Sequence, residues 1–258
     1  VSIDKIEDAF SGNIYTAFGS AMHETIEKYL LKEVTESEQY DHFINKFEEE
    51  INTLQEQCDS KAVDTFSKQS LPIIDNYYSV LVDYFGPNFE IISCEEEIFE
   101  EIKDFTLENF SFKGYIDLVI RDTIHNMYKI VDLKTSTNGW NKYQKNDPMK
   151  TSQLIIYKEY YAKQYGVPVD NIDVEFMILK RRLFESSAFP QKRIQKIVPA
   201  SGTVTRKRVR TSIENFIDNA FDDKGGYVLK EYETNPSKKA CRWCEFKDNK
   251  ELCQDGVK

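Results

Sequence analysis

Gly114-Tyr115-Ile116-Asp117 and, after a short polar interruption, Ile130-Val131-Asp132-Leu133-Lys134 are the stretches on which the reading of this chain turns. Side chains along a strand alternate between faces, so Asp132 and Lys134 share one face while Val131 and Leu133 share the other. Residues 122–126 read as a hairpin loop, which makes the strand carrying Asp117 an antiparallel neighbour of the strand carrying Asp132. In a suitable register the hairpin brings the two carboxylates together. Carboxylates at one point repel unless a divalent cation neutralises them, and hard oxygen ligands suit Mg²⁺ or Mn²⁺. A lysine beside such a cation can orient and help deprotonate an attacking water. Taken alone, D-x-K also fits ordinary surface Asp–Lys pairs on a half-exposed hairpin.

Outward from the hairpin, the chain before residue 86 has helical periodicity. Phe18, Met22, Ile26, Tyr29 and Leu30 recur at helical spacing over 17–31, and Tyr40, Phe43, Ile44, Phe47, Ile51 and Leu54 repeat the pattern over 37–57. Asp59 is placed to cap a third helix, kinked or restarted at Pro72 and stopped near Gly86-Pro87. From Phe89 the character changes: 90–102, 105–120 and 127–133 are rich in β-branched and aromatic residues. Helical spacing returns over 149–165 and stops at Gly166-Val167-Pro168. Residues 174–179 and 193–198 read as further strands, and 203–221 as a last helix with Ile213, Phe216, Ile217 and Ala220 on one face. This order predicts a single α/β (α+β) domain over 1–258, with a mixed central sheet flanked by helices. It has a helical N-terminal region over 1–88, a catalytic sheet core over 89–200, and a C-terminal helix with a cysteine-containing tail over 201–258.

With 258 residues, 13% of them aromatic, the chain can bury a core without staples and is not a largely disordered protein. Only 10 Gly and 7 Pro exclude collagen-like and linker readings. No apolar run reaches the roughly 18–20 residues of a membrane span, and five unevenly placed cysteines do not make a disulfide scaffold, so a reducing, cytoplasmic setting is expected. The net charge of −10 argues against a polyanion partner, but its distribution reverses that. Residues 180–210 hold ten basic side chains against one acid, Glu185. Such asymmetry suggests a nucleic-acid footprint, the alternative being a solvated basic face.

Four short motifs follow one another along the chain. They are Gly19-Ser20-Ala21-Met22-His23, Gly114-Tyr115-Ile116-Asp117, Asp132-Leu133-Lys134 and Gln153-Leu154-Ile155-Ile156-Tyr157. In order and spacing this set resembles the PD-(D/E)XK nuclease superfamily, in its RecB-type branch, which includes CRISPR-adaptation nucleases. The third motif has Asp132 where many relatives carry Glu. The resemblance implies a restriction-endonuclease-like core in which Asp117, Asp132 and the backbone carbonyl of Leu133 bind Mg²⁺ or Mn²⁺. It implies that His23 is a further ligand and that Lys134 handles the nucleophilic water. Gln153 and Tyr157, one helical turn apart, would orient the site or touch the substrate backbone. Outside that set, a lone helical His reads as structural, and Tyr157 as a core residue. In the acidic run Glu95-Glu96-Glu97, Glu95 and Glu97 share a face; relatives sometimes use an acid there, though such a run usually marks a solvated strand.

Near the C-terminus, Cys241-Arg242-Trp243-Cys244 and Cys253 fit metal or cluster ligation better than core packing. Several relatives hold a 4Fe-4S cluster through three cysteines of this region and one upstream of the first motif. Here no Cys precedes His23 and the spacing is wider, so the fourth ligand is expected upstream of Val1, with Cys58, Cys94 or a His as alternatives and Zn²⁺ as the alternative metal.

The expected function is a metal-dependent DNA exonuclease acting on single-stranded or frayed ends in phage or bacterial recombination and repair, alongside recombination or helicase proteins. Its strand would lie along Arg181, Arg182, Lys192, Arg193, Arg206, Lys207, Arg208 and Arg210. Rival readings are a non-catalytic nucleic-acid-binding or assembly module on the same fold, and a zinc-tailed interaction domain.

Overall fold

The computed structural model describes residues 12–102, 110–184, 189–228 and 236–242, together with residues 244, 246, 249 and 253. Three helices open the chain. Helix α1 (Ile14–Leu30) starts at Asn13, whose side chain accepts from the Tyr15 and Thr16 amides while Thr16 Oγ1 accepts from the Asn13 amide at 2.8 Å. This capping box fixes the helix start. Its buried residues Phe18, Ala21, Met22, Thr25 and Ile26 form the stripe that the sequence spacing predicts. Helix α2 (Gln39–Asn52) buries Phe43 and Phe47. Helix α3 (Ser60–Phe85) is capped by Asp59 and runs on through Pro72 rather than restarting there. Ser70, Ile73, Ile74, Tyr77 and Leu81 stay buried on both sides of the proline, so packing outweighs the lost backbone hydrogen bond. Gly86, at φ 68°, ends the helix in the left-handed region.

Five strands follow: β1 (Phe89–Ile102), β2 (Phe110–Asp122), β3 (Met127–Ser136), β4 (Ile172–Lys180) and β5 (Ile194–Ile197). They pair in the order β1-β2-β3-β4-β5. The β1–β2, β2–β3 and β4–β5 pairs are antiparallel, whereas β3 and β4 are parallel. Parallel neighbours need a crossover. It is made by α4 (Lys142–Lys145) and α5 (Pro148–Tyr165), the latter stopped by Gly166 at φ 63°. Helix α6 (Thr203–Ala220) follows β5.

Both faces of the sheet are covered. Leu118, Ile120, Val131, Leu133, Met177 and Leu179 pack with the aromatic residues of α1–α3. Val119, Ile130, Val174, Phe176 and Ile178 pack with Leu154, Ile155 and Tyr161 of α5 and with Val209 of α6. Strand β4 is buried on both sides, which is why its sequence is an almost unbroken apolar run rather than an alternation. Glu175 interrupts it, fully buried, with Lys129 at 3.4 Å and Lys196 at 3.1 Å. Removing one partner of such a buried group leaves charge uncompensated, at a cost of about 3–5 kcal/mol.

The chain divides into two compact units between Asn215 and Phe216. In the second, Phe221 bridges to Tyr227, and Ser237 caps α7 (Lys238–Cys241).

Candidate active site

The site forms where β2 and β3 part. Their ladder runs from Asp122–Met127 to Leu118–Val131. One step further, Asp117 replaces the ladder: its Oδ2 accepts the Leu133 amide at 2.6 Å. The opening of the hairpin thus fixes one carboxylate against the backbone of β3. The faces are as period two predicts, with Val131 and Leu133 in the core under α1–α3 and Asp132 and Lys134 turned the other way. Asp132 is 2% exposed, and Lys134 Nζ lies 2.9 Å from its Oδ1 and 2.7 Å from its Oδ2.

Two neighbouring elements complete the group. Helix α1 packs against β3, Gly19 lying where an added Cβ would come within 3.4 Å of Thr135 Oγ1. One turn on, His23 Nδ1 is 3.7 Å from Asp117 Oδ2. From β1 comes Glu95, which lies between the pairs Cys94–Leu118 and Glu96–Ile116 and so opposite Asp117. Its φ of +48° is a left-handed conformation that a non-glycine residue rarely adopts. Ligand atoms of His23, Glu95 and Asp117 all lie within 4.8 Å of one another. The sequence points only weakly to Glu95, as one acid in a run of three. Its neighbour Glu97 instead accepts from Tyr115 Oη at 2.7 Å on the exposed surface.

On the side of Asp132 and Lys134, Gln153 Nε2 donates to Tyr157 Oη at 3.1 Å. Tyr157 is largely buried, with its ring edge-on to Phe112 at 6.1 Å. A Cβ at Gly114 would sit 2.7 Å from Tyr157 Cε1, so the glycine of the second motif makes room for the tyrosine of the fourth.

Burial dominates the electrostatics. It pushes the Asp132 carboxyl up to about 6 even though Lys134 acts downward, and it raises Asp117. Glu95 is raised by burial and by the Asp117 charge, and Glu27, one turn beyond His23 on α1, by burial and Glu95. Lys134 is also raised: burial pulls it down, but Asp132 and Asp117 outweigh that. Burial is the larger cause for the carboxyls, and the neighbouring negative charges add to it at Glu95 and Glu27 and hold Lys134 up. His23 goes the other way, down to about 4, through burial and then Lys134. The imidazole is therefore neutral at physiological pH and free to coordinate. Carboxylate oxygens, one neutral imidazole and excess negative charge fit a hard divalent cation such as Mg²⁺ or Mn²⁺.

The basic segment does not lie on one face. Arg181 is 5% exposed, its guanidinium over the rings of Phe66, Tyr15 and Phe18 and bonded to Gln69 and Thr137. Arg206 is spent on Glu159 at 3.1 Å and Asp170 at 3.3 Å. Arg193 Nη1 donates to the carbonyls of Lys180 and Arg181, and Lys192 lies over Tyr84. Arg182, Lys207, Arg208 and Arg210 are exposed. Charge runs reveal none of this, because the partners of Arg181, Arg206 and Lys192 come from distant elements and Arg193 turns back onto the backbone of its own segment.

Cys241, Cys244 and Cys253 are free thiols in the second unit, Cys241 buried at the end of α7. Cys58 and Cys94 are half-buried. Among the described residues, the one group of three metal-ligating side chains gathered within 4.8 Å is His23, Glu95 and Asp117.

The family model of the PD-(D/E)XK nuclease superfamily matches residues 3–253. No curated protein matches the chain significantly. A match of that length, on a mixed five-stranded sheet whose parting strands carry Asp117, Asp132 and Lys134, makes this chain a member of the PD-(D/E)XK nuclease superfamily.

Proposed function

We propose that the chain is a Mg²⁺- or Mn²⁺-dependent DNA exonuclease of the RecB-type branch, acting on single-stranded or frayed ends. The observation that carries this reading is the convergence of His23, Glu95 and Asp117 within 4.8 Å, beside the Lys134–Asp132 pair. A helix-borne histidine at the carboxylate pair is what the G-x-x-x-H motif of that branch implies. Asp117, Asp132, His23, Glu95 and the Leu133 carbonyl would hold the cation. Bound there, it would supply Lewis-acid polarisation of the scissile phosphate and an acidified water. Lys134, held by Asp132 and kept protonated there, orients the nucleophilic water, whose proton leaves to solvent. Gln153 and Tyr157 hold one wall of the site and can donate to the substrate backbone. The intact Asp117, Asp132 and Lys134 disfavour a non-catalytic module on this fold.

End-labelled single and double strands, digested with Mg²⁺, Mn²⁺ or chelator, test the reading. Stepwise loss of terminal nucleotides, abolished by Asp117→Ala, supports it; no metal-dependent cleavage of either substrate would refute it. Recombination or repair, with helicase-type partners, is the expected setting. For the tail we propose a 4Fe-4S cluster on Cys241, Cys244 and Cys253, its fourth ligand not identified in this chain. Elemental analysis and the visible spectrum of anaerobically purified full-length protein test it, and absence of both iron and zinc would remove the ligand role.

A further inference from the structure

Beyond the metal site, the C-terminal ends of the parallel strands β3 and β4 border a shallow, open cleft of about 870 Å³ that α3 lines on its other side. The two strands stay paired past their formal ends: the Arg181 amide donates to the Ser136 carbonyl and the Arg182 amide to that of Thr137. This brings Arg182 beside the continuation of the strand that carries Lys134. From Lys134 to Thr137 is three residues, about 10 Å at the strand rise.

The lining is chemically mixed. Arg182 is exposed and its guanidinium has no partner among the described residues, whereas Arg181 and Arg193 in the same wall are consumed by the internal contacts given above. Lys68 of α3 faces the cleft with Asp64, to which it is paired at 2.7 Å. Asn138 adds an amide. Beside these polar groups stands Phe184, 56% exposed, its backbone fixed by the Gln191 side chain at 3.1 Å. An exposed ring among cations suits a ligand that carries both negative charge and an accessible π-face. Unpaired nucleotides offer both, whereas a duplex hides the faces of its bases.

We propose that this cleft binds a single strand of nucleic acid on its way to or from the metal site, with a phosphate on Arg182 and an unpaired base stacked on Phe184. The proposal rests on the nuclease reading and deepens it by assigning the strand a path across the α3 side of the sheet ends. It also separates Arg182 in function from the neighbouring arginines that the sequence groups with it.

The test is fluorescence anisotropy with a short labelled single-stranded DNA and its duplex, titrated in chelator, so that cleavage plays no part. Arg182→Ala should weaken single-strand binding and lower the log–log salt slope by about 0.7, the share of one phosphate contact. Phe184→Ala should weaken it about tenfold with the slope unchanged, as loss of a stacked base does, and should leave duplex binding unaltered. Both side chains are exposed, and matching thermal melts confirm that the variants fold. Wild-type affinity in both variants, or equal losses on duplex and single strand, would overturn the proposal. Absence of metal-dependent cleavage in the wild type, with these binding losses intact, would instead overturn the nuclease reading and leave the cleft standing.

Discussion

Asp132→Asn should make the cation-free protein more stable at neutral pH while destroying its activity. Asp132 is 2% exposed and its carboxyl is raised from an ordinary 3.8 to about 6, so the charged form is disfavoured in the fold by about 2 pKa units, or about 3 kcal/mol. A carboxyl raised on folding binds more protons in the folded state, so its contribution to stability falls as pH rises from about 4 to 6 and stays lost above that. An amide of the same shape has no charge to desolvate and can still accept from Lys134. His23 has the opposite slope: lowered to about 4, it adds stability as pH rises through the same window. Asp117, Glu95 and Glu27 are raised as well and act in the same direction as Asp132, so only the difference between variant and wild type isolates the Asp132 share. Thermal melts in chelator should place Asp132→Asn above wild type by about 5–10 °C at pH 7.5, with the gap closing towards pH 4. Mn²⁺ at a hundredfold excess over its Kd should raise the wild type by about 2.7 kcal/mol and shrink the gap. A variant no more stable than wild type at pH 7.5, or a gap that persists at pH 4, would refute the account.

Gly114→Ala drives a methyl to 2.7 Å from the Tyr157 ring and should cost about 1–3 kcal/mol in urea unfolding together with a fall in kcat; a second change, Tyr157→Leu, should restore the stability but not the rate. Lys134→Ala should lower kcat by about 10²–10⁴-fold with the fold retained, and turnover near wild type would take the water-positioning role from it. Glu95→Gln and His23→Ala should each weaken Mn²⁺ binding in calorimetry, and an unchanged affinity would remove that residue from the ligand set.

The sequence is most legible where one burial pattern controls several residues at once. The α1 stripe of Phe18, Met22 and Ile26, the apolar run of β4 and the shared face of Asp132 and Lys134 all follow from helical or strand periodicity, and all three are observed. Legibility fails where a side chain's fate depends on another element. Arg181 and Arg182 are adjacent and alike, yet one is inserted among Tyr15, Phe18 and Phe66 while the other faces solvent. Pro72 reads as an interruption, but the helix is held by side chains on both sides of it.

Glu95 shows the same dependence at the site itself. In sequence it is the first of three consecutive acids, and alternation pairs it with the solvent-facing Glu97. What separates the two is backbone geometry: a positive φ at Glu95, opposite the residue where β2 leaves β3. Ladder hydrogen bonding and the site therefore compete for the same residues. Asp117 can take the Leu133 amide only because the two strands stop pairing there, and Glu95 can reach Asp117 only through a conformation that costs its own strand about 1–3 kcal/mol. Three acids drawn together at such cost, with a neutral histidine at their edge, make a fold that is less stable empty than it could be. On the proposed reading a bound cation would recover that free energy, which would tie the order of the site to its occupancy. Stabilising changes at Asp117, Asp132 or Glu95 should accordingly come at the expense of metal affinity, whereas stabilising changes in α2 or β5 should not.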